Sequence, residues 1–132
     1  MEYIEFNPLM LIAVFNEMYH SLLLWGFMLM IIIDVLTGLL KAGVTGNLDS
    51  RIGLKGMIKH TTIILLVLIM GFTTRLINMQ WASQSFCLYY ILQYIFSILE
   101  NLDEMKIPFP AWLRNIFKRM GQDLDEKGQV NE

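Results

Sequence analysis

The sequence predicts an all-α integral membrane protein with three transmembrane helices, its N-terminus outside and its C-terminus inside, plus flanking amphipathic helices. Of its 132 residues, 55% are hydrophobic and 17% are charged, whereas about a quarter of the residues in a soluble domain are charged. The charges also avoid three long stretches, and a hydrocarbon core of about 30 Å needs roughly 20 apolar residues in a helix. Since a chain this short has no interior that buries three such stretches, the lipid bilayer is their expected surroundings.

The N-terminal segment, residues 1–20, is predicted as an amphipathic helix. The stretch from Phe6 to Phe15 is apolar but too short to cross a bilayer, and Glu17 interrupts it. We interpret it as a helix at the membrane surface or outside the membrane, and a fourth span is the alternative. The chain starts with acidic residues, so we expect no secretory signal peptide, which needs a basic start.

The transmembrane domain is expected at residues 21–100. Its three spans are predicted at residues 21–40, 57–77 and 79–99. The first span contains one charged residue, Asp34, and the third contains none. Because residues 75–80 leave room only for a short turn, the second and third spans are expected to form an antiparallel hairpin. The aliphatic run from Ile63 to Met70 makes the second span the candidate lipid-facing helix.

The distribution of Lys and Arg predicts the orientation in the membrane. None precedes the first span, one lies between the second and third spans, and the others lie in the loop at 41–60 or after the third span. In order they are Lys41, Arg51, Lys55, Lys59, Arg75, Lys106, Arg114, Lys118, Arg119 and Lys127. Cytoplasmic loops carry an excess of positive charge. The basic loop 41–60 and the C-terminal tail are therefore expected in the cytoplasm, and Trp25 and Trp81 then lie at the outer interface, where tryptophan is enriched.

The cytoplasmic tail is expected at residues 101–132, with a basic amphipathic helix followed by an acidic, disordered end. Trp112, Leu113, Ile116, Phe117 and Met120 share an apolar face, and Arg114, Lys118 and Arg119 lie largely on the opposite face. Such a helix suits the anionic inner leaflet. The alternative is a helix packed on a neighbouring subunit. We count Lys55, Lys59, Arg114, Lys118 and Arg119 as basic residues at the membrane surface.

Residue types that carry catalysis or hold cofactors are scarce in this sequence. It has no glycine-rich phosphate loop and no nucleophile elbow, and its two histidines and Cys87 show no metal-ligand spacing. The lone Cys87 excludes an intrachain disulfide, and we read it as a small buried apolar residue. We therefore expect no enzymatic activity, no cofactor, no metal and no nucleic-acid partner.

Three segments together resemble a known family. They are Asp34-Val35-Leu36-Thr37-Gly38-Leu39-Leu40-Lys41-Ala42, the run from Leu48 to Lys59, and Ser97-Ile98-Leu99-Glu100-Asn101 followed by Ile107-Pro108-Phe109-Pro110. In this order and spacing they resemble the bacteriophage holin family of the toxin-secretion and phage-lysis type, from about Trp25 to Leu113. Family members tend to have two basic residues where this chain has Lys59-His60. They often have Asn-Glu where this chain has Gln93-Tyr94.

The resemblance implies a multi-pass protein of the host bacterial cytoplasmic membrane. Holins of this type accumulate, oligomerise and open non-selective lesions, and an endolysin then reaches the peptidoglycan and the host lyses. Relatives in some bacteria are proposed to release large toxins instead. The implied partners are the lipid bilayer and further copies of the chain. The link to an endolysin or toxin is functional and need not involve binding.

Asp34 is the first intramembrane site candidate. A carboxylate within a span costs about 2.5 to 3.5 kcal/mol on insertion scales, so it is expected to face protein or water, or to stay protonated. Thr37, Gly38 and Lys41 lie on the same helical face. One interpretation is that Asp34 holds subunits together or lines the lesion. The other is an intrachain partner, such as a basic residue of the first loop.

Two further patterns suggest helix association. Gly38, Ala42 and Gly46 recur every four residues, a spacing that permits close helix approach in lipid; alternatively, the glycines at 43 and 46 end the helix. The third span carries a polar stripe, formed by Tyr90, Gln93, Ser97 and Glu100. This stripe faces water in a lesion, or it hydrogen-bonds to other helices, either between subunits or within the monomer.

Two other functions remain open from the sequence. A small channel or transporter subunit for ions or solutes needs a defined polar pathway, and Asp34 and the polar stripe are the candidates for it. An antiholin-like membrane regulator restrains a partner holin. Passage of folded proteins separates a holin from a channel, and toxicity when the chain is expressed alone argues against a regulator.

Overall fold

The structure is a computed structural model that describes residues 7–108, 110–112, 115–116 and 119. Four α-helices follow one another: α1 (Pro8–Tyr19), α2 (Leu22–Thr45), α3 (Ser50–Leu76) and α4 (Gln80–Glu104). The described ranges contain no β-strand, which confirms the all-helical fold class. Residues 111–112, 115–116 and 119 are helical; the rest of the predicted tail helix, including Arg114 and Lys118, and the acidic end lie outside the described residues.

Helix α1 ends in a tight corner that leads directly into α2. Asn7 caps its start, with Oδ1 accepting a hydrogen bond from the Leu9 backbone N–H at 3.0 Å. Ser21 then caps α2 by accepting from the Leu24 N–H at 3.4 Å. The Trp25 indole Nε1 donates to the Tyr19 carbonyl oxygen at 2.7 Å, which ties the first turn of α2 to the end of α1.

The connection between α2 and α3 is much shorter than the predicted loop at 41–60. Helix α2 continues to Thr45 and ends at Gly46, whose φ of 73° is left-handed, a conformation that glycine adopts without steric cost. Helix α3 already starts at Ser50, because the Asp49 side chain accepts from the Arg51 N–H at 2.8 Å and caps it. The basic residues of the predicted loop therefore lie on helices, and only 46–49 connect them.

The connection between α3 and α4 is as short as the sequence predicts. It consists of residues 77–79, with Asn78 at a positive φ of 56°. The Met79 N–H donates to the Thr74 carbonyl oxygen at 2.8 Å and closes the turn. The two helices accordingly run antiparallel.

Helices α2 and α4 run parallel and contact each other over most of their length. The Cys87 thiol lies 3.8 Å from the Leu23 carbonyl oxygen near one end, and Lys41 Nζ lies 3.2 Å from Glu104 Oε1 near the other. Between these points lies an apolar core, which Phe27, Ile31, Val67, Cys87 and Tyr94 form. Helix α3 packs mainly against α4, and α1 packs against α3.

The two ends of this helix bundle are called the α1 end and the tail end. The α1 end holds α1 and the turn at 77–79, and the tail end holds the connection at 46–49 and the residues after α4. At the α1 end, the Phe15 and Phe72 rings pack with centroids 5.4 Å apart. Met18 is buried against Gly71, where an added Cβ would lie 3.2 Å from Met18 Cε.

Among the described helices, α2 and α3 are long and apolar enough to cross a membrane. Only 22% and 6% of the residues in their most apolar stretches are buried in the protein. A soluble protein rarely exposes large contiguous apolar patches, so these surfaces indicate contact with lipid. Helix α4 has 25 residues, but polar residues such as Gln84, Gln93 and Glu100 lower its hydropathy.

Candidate functional site

Asp34 lies inside the bundle, where α3 and α4 both face α2, and it is 6% exposed. One carboxylate oxygen, Oδ1, accepts a hydrogen bond from Asn101 Nδ2 of α4 at 3.4 Å. The other, Oδ2, lies 3.8 Å from His60 Nε2 of α3. Each carboxylate oxygen therefore faces a polar group from a different helix, which satisfies a buried acidic group away from lipid.

Thr37 and Gly38 complete the contact between α2 and α4. Asn101 Nδ2 also donates to Thr37 Oγ1 at 3.3 Å, and Thr37 Oγ1 donates to the Asp34 carbonyl oxygen at 3.0 Å. A Cβ on Gly38 would lie 3.7 Å from Asn101 Nδ2. A glycine here therefore lets the asparagine amide come close to the α2 backbone, the close approach that small residues allow in membrane helices.

His60 extends the polar contacts to Tyr94. Its Nδ1 lies 3.1 Å from Tyr94 Oη, and the two rings are tilted with centroids 5.6 Å apart. Tyr94 is 4% exposed and packs edge-on against the Phe27 ring at a centroid distance of 6.0 Å. We call Asp34, Thr37, His60, Tyr94 and Asn101 the polar cluster.

The polar cluster has two consistent proton arrangements. With a neutral imidazole, Nε2–H faces the Asp34 carboxylate and Nδ1 accepts from the Tyr94 hydroxyl. With a protonated imidazole, both ring nitrogens act as donors and Asp34 supplies the opposite charge. In both, a low dielectric strengthens the contacts and makes an unpaired member costly. The cluster therefore stabilises one arrangement of α2, α3 and α4.

A second ionic contact lies at the tail end of the bundle. Lys41 Nζ and Glu104 Oε1 are 3.2 Å apart, with the two side chains 28% and 55% exposed. Exposed pairs of this kind contribute roughly 0 to 1 kcal/mol. The pair helps align the ends of α2 and α4, and the buried polar cluster contributes the stronger constraint.

A third group of polar contacts ties α1 to the opposite end. Arg75 Nη1 donates to the Gly71 carbonyl oxygen at 2.9 Å, and its Nε lies 3.7 Å from Glu17 Oε2. That Nε is buried and has no hydrogen-bond partner within the described residues. Gln80 Nε2 reaches the same Glu17 oxygen at 3.5 Å. A small, half-open cavity lies beside Arg75, and its lining includes Met18, Ser21, Ser83 and Cys87.

The structure separates the residues that the sequence grouped as site candidates. Asp34 and Thr37 belong to the polar cluster, and Gly38 contacts it. Ala42 is half-buried on α2, and Gly46 ends that helix.

The polar stripe of α4 lies along one flank of its buried face. Tyr90 and Ser97 are half-buried, and Gln93 and Glu100 are exposed. Among the predicted surface residues, Lys55 and Lys59 lie exposed on α3, and Arg119 is exposed.

His60 lies at the end of the predicted loop 41–60, from which an intrachain partner for Asp34 was one of the two interpretations, whereas Tyr94 and Asn101 were not predicted to join Asp34. Tyr94 and Asn101, which adjoin the polar stripe in the sequence, lie on the buried face of α4 together with Ser83 and Cys87. The last three of these α4 residues, Cys87, Tyr94 and Asn101, are spaced seven apart, which is the repeat expected of helices that pack along their length. This seven-residue spacing is the feature of the sequence from which the buried face of α4 could be predicted.

Comparison with known proteins relates this sequence to a family. The sequence model of the bacteriophage holin family matches residues 11–122. An uncharacterized protein of Clostridium perfringens strain 13 is 35% identical over 92 residues, which cover 68% of each chain. An uncharacterized protein of Halalkalibacterium halodurans is 33% identical over 100 residues, covering 71% of this chain and 74% of the relative.

A third relative extends the similarity over more of the chain. An uncharacterized protein of Listeria innocua is 31% identical over 121 residues, covering 87% of this chain and 86% of the relative. No solved structure matches. The holin family is not enzymatic. The family match includes all five residues of the polar cluster and the three helices that carry them, and on this evidence the chain belongs to the bacteriophage holin family.

Proposed function

We propose that this protein is a phage-type holin that accumulates and oligomerises in the bacterial cytoplasmic membrane. It opens non-selective lesions through which an endolysin, or a toxin, leaves the cytoplasm, and host lysis follows. The observation that carries the proposal is the exposed apolar surface of α2 and α3 in a chain of the holin family. No catalytic step, cofactor or metal is part of this function.

In this proposal α2, α3 and α4 all cross the membrane. Helix α4 has 25 residues, about 37 Å at the helical rise per residue, and it runs beside α2 over most of that length. A helix parallel to a spanning helix and joined by such contacts crosses the same bilayer. Because cytoplasmic segments carry an excess of positive charge, the basic residues at the tail end support a cytoplasmic location for that end of the bundle. The α1 end then lies at the outer surface.

The flanking segments then lie at the two membrane surfaces. Helix α1 packs against the outer end of α3, through the Phe15–Phe72 and Glu17–Arg75 contacts. Lys55 and Lys59, exposed on α3, lie near the anionic inner leaflet together with Arg114, Lys118 and Arg119 of the tail. Each basic residue near such a surface contributes about 1 kcal/mol of membrane attraction.

The proposal is tested by expressing the chain in a bacterium together with a cytoplasmic muralytic enzyme that lacks a signal peptide. We expect sudden clearing of the culture only when both proteins are present. The controls are the enzyme alone, the chain alone, and the chain with a catalytically inactive enzyme. Because folded enzyme crosses only a large opening, the assay reports lesion size as well as lysis.

Two outcomes would contradict the proposed lesion-forming function and favour the two alternative functions. Membrane depolarisation without clearing would indicate a narrow pore, as expected of an ion or solute channel. Stable membrane insertion with neither effect would indicate a regulator of the antiholin type that needs a partner.

A further inference from the structure

The exposed face of α4 carries an amide that neither lipid nor the monomer satisfies. Gln93 is exposed, and its side chain makes no hydrogen bond to any residue that the structure describes. The helical rise puts it about 18 Å from Trp81, near the centre of a bilayer core about 30 Å thick. At the same level α2 exposes apolar side chains, such as Leu29 and Ile32.

The smaller exposed hydroxyl residues of α3 and α4 satisfy themselves on their own helix, and the exposed Gln84 lies only about 4.5 Å along the axis from Trp81, near the membrane surface. Thr62 Oγ1 donates to the Ile58 carbonyl oxygen at 2.9 Å, and Ser85 Oγ donates to the Trp81 carbonyl oxygen at 3.0 Å. Thr61 is exposed near the level of Gln93, and its hydroxyl can likewise donate to a backbone carbonyl oxygen one turn earlier on α3. The Gln93 amide has two donors and an acceptor on a longer side chain. Leaving such a group unpaired in hydrocarbon is strongly unfavourable.

We propose that Gln93 marks the face of α4 on which a second copy of this chain docks, and this proposal rests on the oligomerisation in the proposed function. Copies inserted with the same orientation have their Gln93 side chains at the same depth. Around a two-fold axis along the membrane normal, each amide donates to the carbonyl oxygen of the other, because an amide is both donor and acceptor. Such polar contacts between membrane helices stabilise their association.

The neighbours of Gln93 on this face fit a helix contact. Tyr89, one turn away, is 55% exposed and supplies a large aromatic surface. Glu100, on the same side of α4, lies about 28 Å from Trp81, at the opposite membrane surface, where water solvates it. The like charges of two Glu100 residues therefore do not meet in hydrocarbon. Leu88 is also exposed, but it points to another side of the helix.

The test is disulfide cross-linking of the full chain in bacterial membranes, in a Cys87→Ala background. Tyr89→Cys reports on the proposed face. Leu88→Cys is the matched control, at the neighbouring position on another side of α4, and Leu65→Cys samples the exposed face of α3. With a membrane-permeant oxidant we expect a covalent dimer for Tyr89→Cys, at least fivefold above both controls. Adding Gln93→Leu should reduce that dimer at least threefold at equal abundance.

Two results would overturn the proposal: a dimer from Leu88→Cys or Leu65→Cys as strong as that from Tyr89→Cys, or a Tyr89→Cys dimer unaffected by Gln93→Leu. Gln93 is exposed and its side chain makes no hydrogen bond to the described residues, so a loss of dimer at normal abundance does not reflect misfolding. Clearing is measured on the same strains. Clearing without the Tyr89→Cys dimer would leave the holin function standing and reject this face. A Tyr89→Cys dimer without clearing would support this face and reject the holin function.

Discussion

Asp34 of α2 and His60 of α3 face each other inside the bundle, with Oδ2 and Nε2 3.8 Å apart. His60 is the residue through which α3 joins the polar cluster, because the other four members lie on α2 and α4. Since most of the apolar surface of α3 faces outward, this contact carries much of the specificity with which α3 docks. Substitutions at Asp34 or His60 should therefore alter how firmly α3 is held against α2 and α4.

Asp34→Asn should advance the onset of clearing in the co-expression assay. The amide keeps a hydrogen-bond acceptor toward Asn101, but it removes the charge opposite His60, so α3 is held less firmly and the monomer opens to neighbours earlier. The matched control is Asp49→Asn, which makes the same exchange at an exposed position outside the spans and keeps a side-chain oxygen that can cap α3. Unchanged timing at equal membrane abundance would exclude a role for the Asp34 charge.

Tyr94→Phe should lower the free energy of unfolding by about 1 to 2 kcal/mol, because it leaves His60 Nδ1 without its partner in a buried setting. Thermal unfolding in detergent micelles measures this change. Tyr89→Phe removes the same hydroxyl from an exposed ring and should leave the unfolding temperature within error. Equal effects of the two variants would mean that the His60–Tyr94 contact does not stabilise the bundle.

Exchanging both partners should restore stability where single exchanges lose it. Residues 60 and 94 are two positions at which this chain departs from the family tendency toward a basic residue and a glutamate, and the structure places them in contact at 3.1 Å. His60→Lys loses the tyrosine contact, and Tyr94→Glu adds a second carboxylate beside Asp34. In the double variant the lysine faces both acids, so the coupling free energy should be at least about 1 kcal/mol in a double-mutant cycle. Additive effects would contradict a direct interaction.

Gly71→Leu should detach α1 from α3. An added Cβ already lies 3.2 Å from Met18 Cε and 3.4 Å from Arg75 Nη1, so a larger side chain displaces the α1 residues that pack there. A cysteine at Val14, which is 6% exposed, should then react at least fivefold faster with an impermeant maleimide in a Cys87→Ala background. Gly26→Leu is the control, because apart from its chain neighbours and the adjoining helix backbone no atom lies within 4 Å of its Cβ position. Equal labelling rates in the two variants would show that α1 does not depend on this contact.

The three-span topology that we propose predicts opposite reporter signals at two sites. A fusion after Glu132 should be active only with a cytoplasmic reporter, and an insertion at Asn78, in the turn between α3 and α4, only with an external one. Asn78 is an exposed polar residue at the tip of this turn, the kind of position at which insertions are tolerated. A reporter active outside after Glu132 would contradict three spans with an outer N-terminus, and the Asn78 signal would then separate an inverted orientation from an even number of spans.

The sequence by itself determined the helices and several of their ends. Long apolar runs with few charges predict membrane helices, and the short run between Arg75 and Gln80 predicts the turn observed at 77–79. The loop at 41–60 was predicted too long, because its basic residues were read as a solvated connection. Lysine, arginine and leucine are good helix formers, and with Gly46 ending α2 and Asp49 capping α3 the helices extend through most of it.

Only the tertiary structure decided which side of each helix faces protein. In a soluble helix the apolar face is the buried one, but in lipid the outward and inward faces are both apolar, so the periodicity of the apolar residues does not separate them. The seven-residue spacing of Cys87, Tyr94 and Asn101 indicates the buried side for α4 alone. Asp34 was recognised as a residue that needs a partner. His60, Tyr94 and Asn101 became its neighbours only because α2 and α4 pack in parallel, with α3 antiparallel beside them.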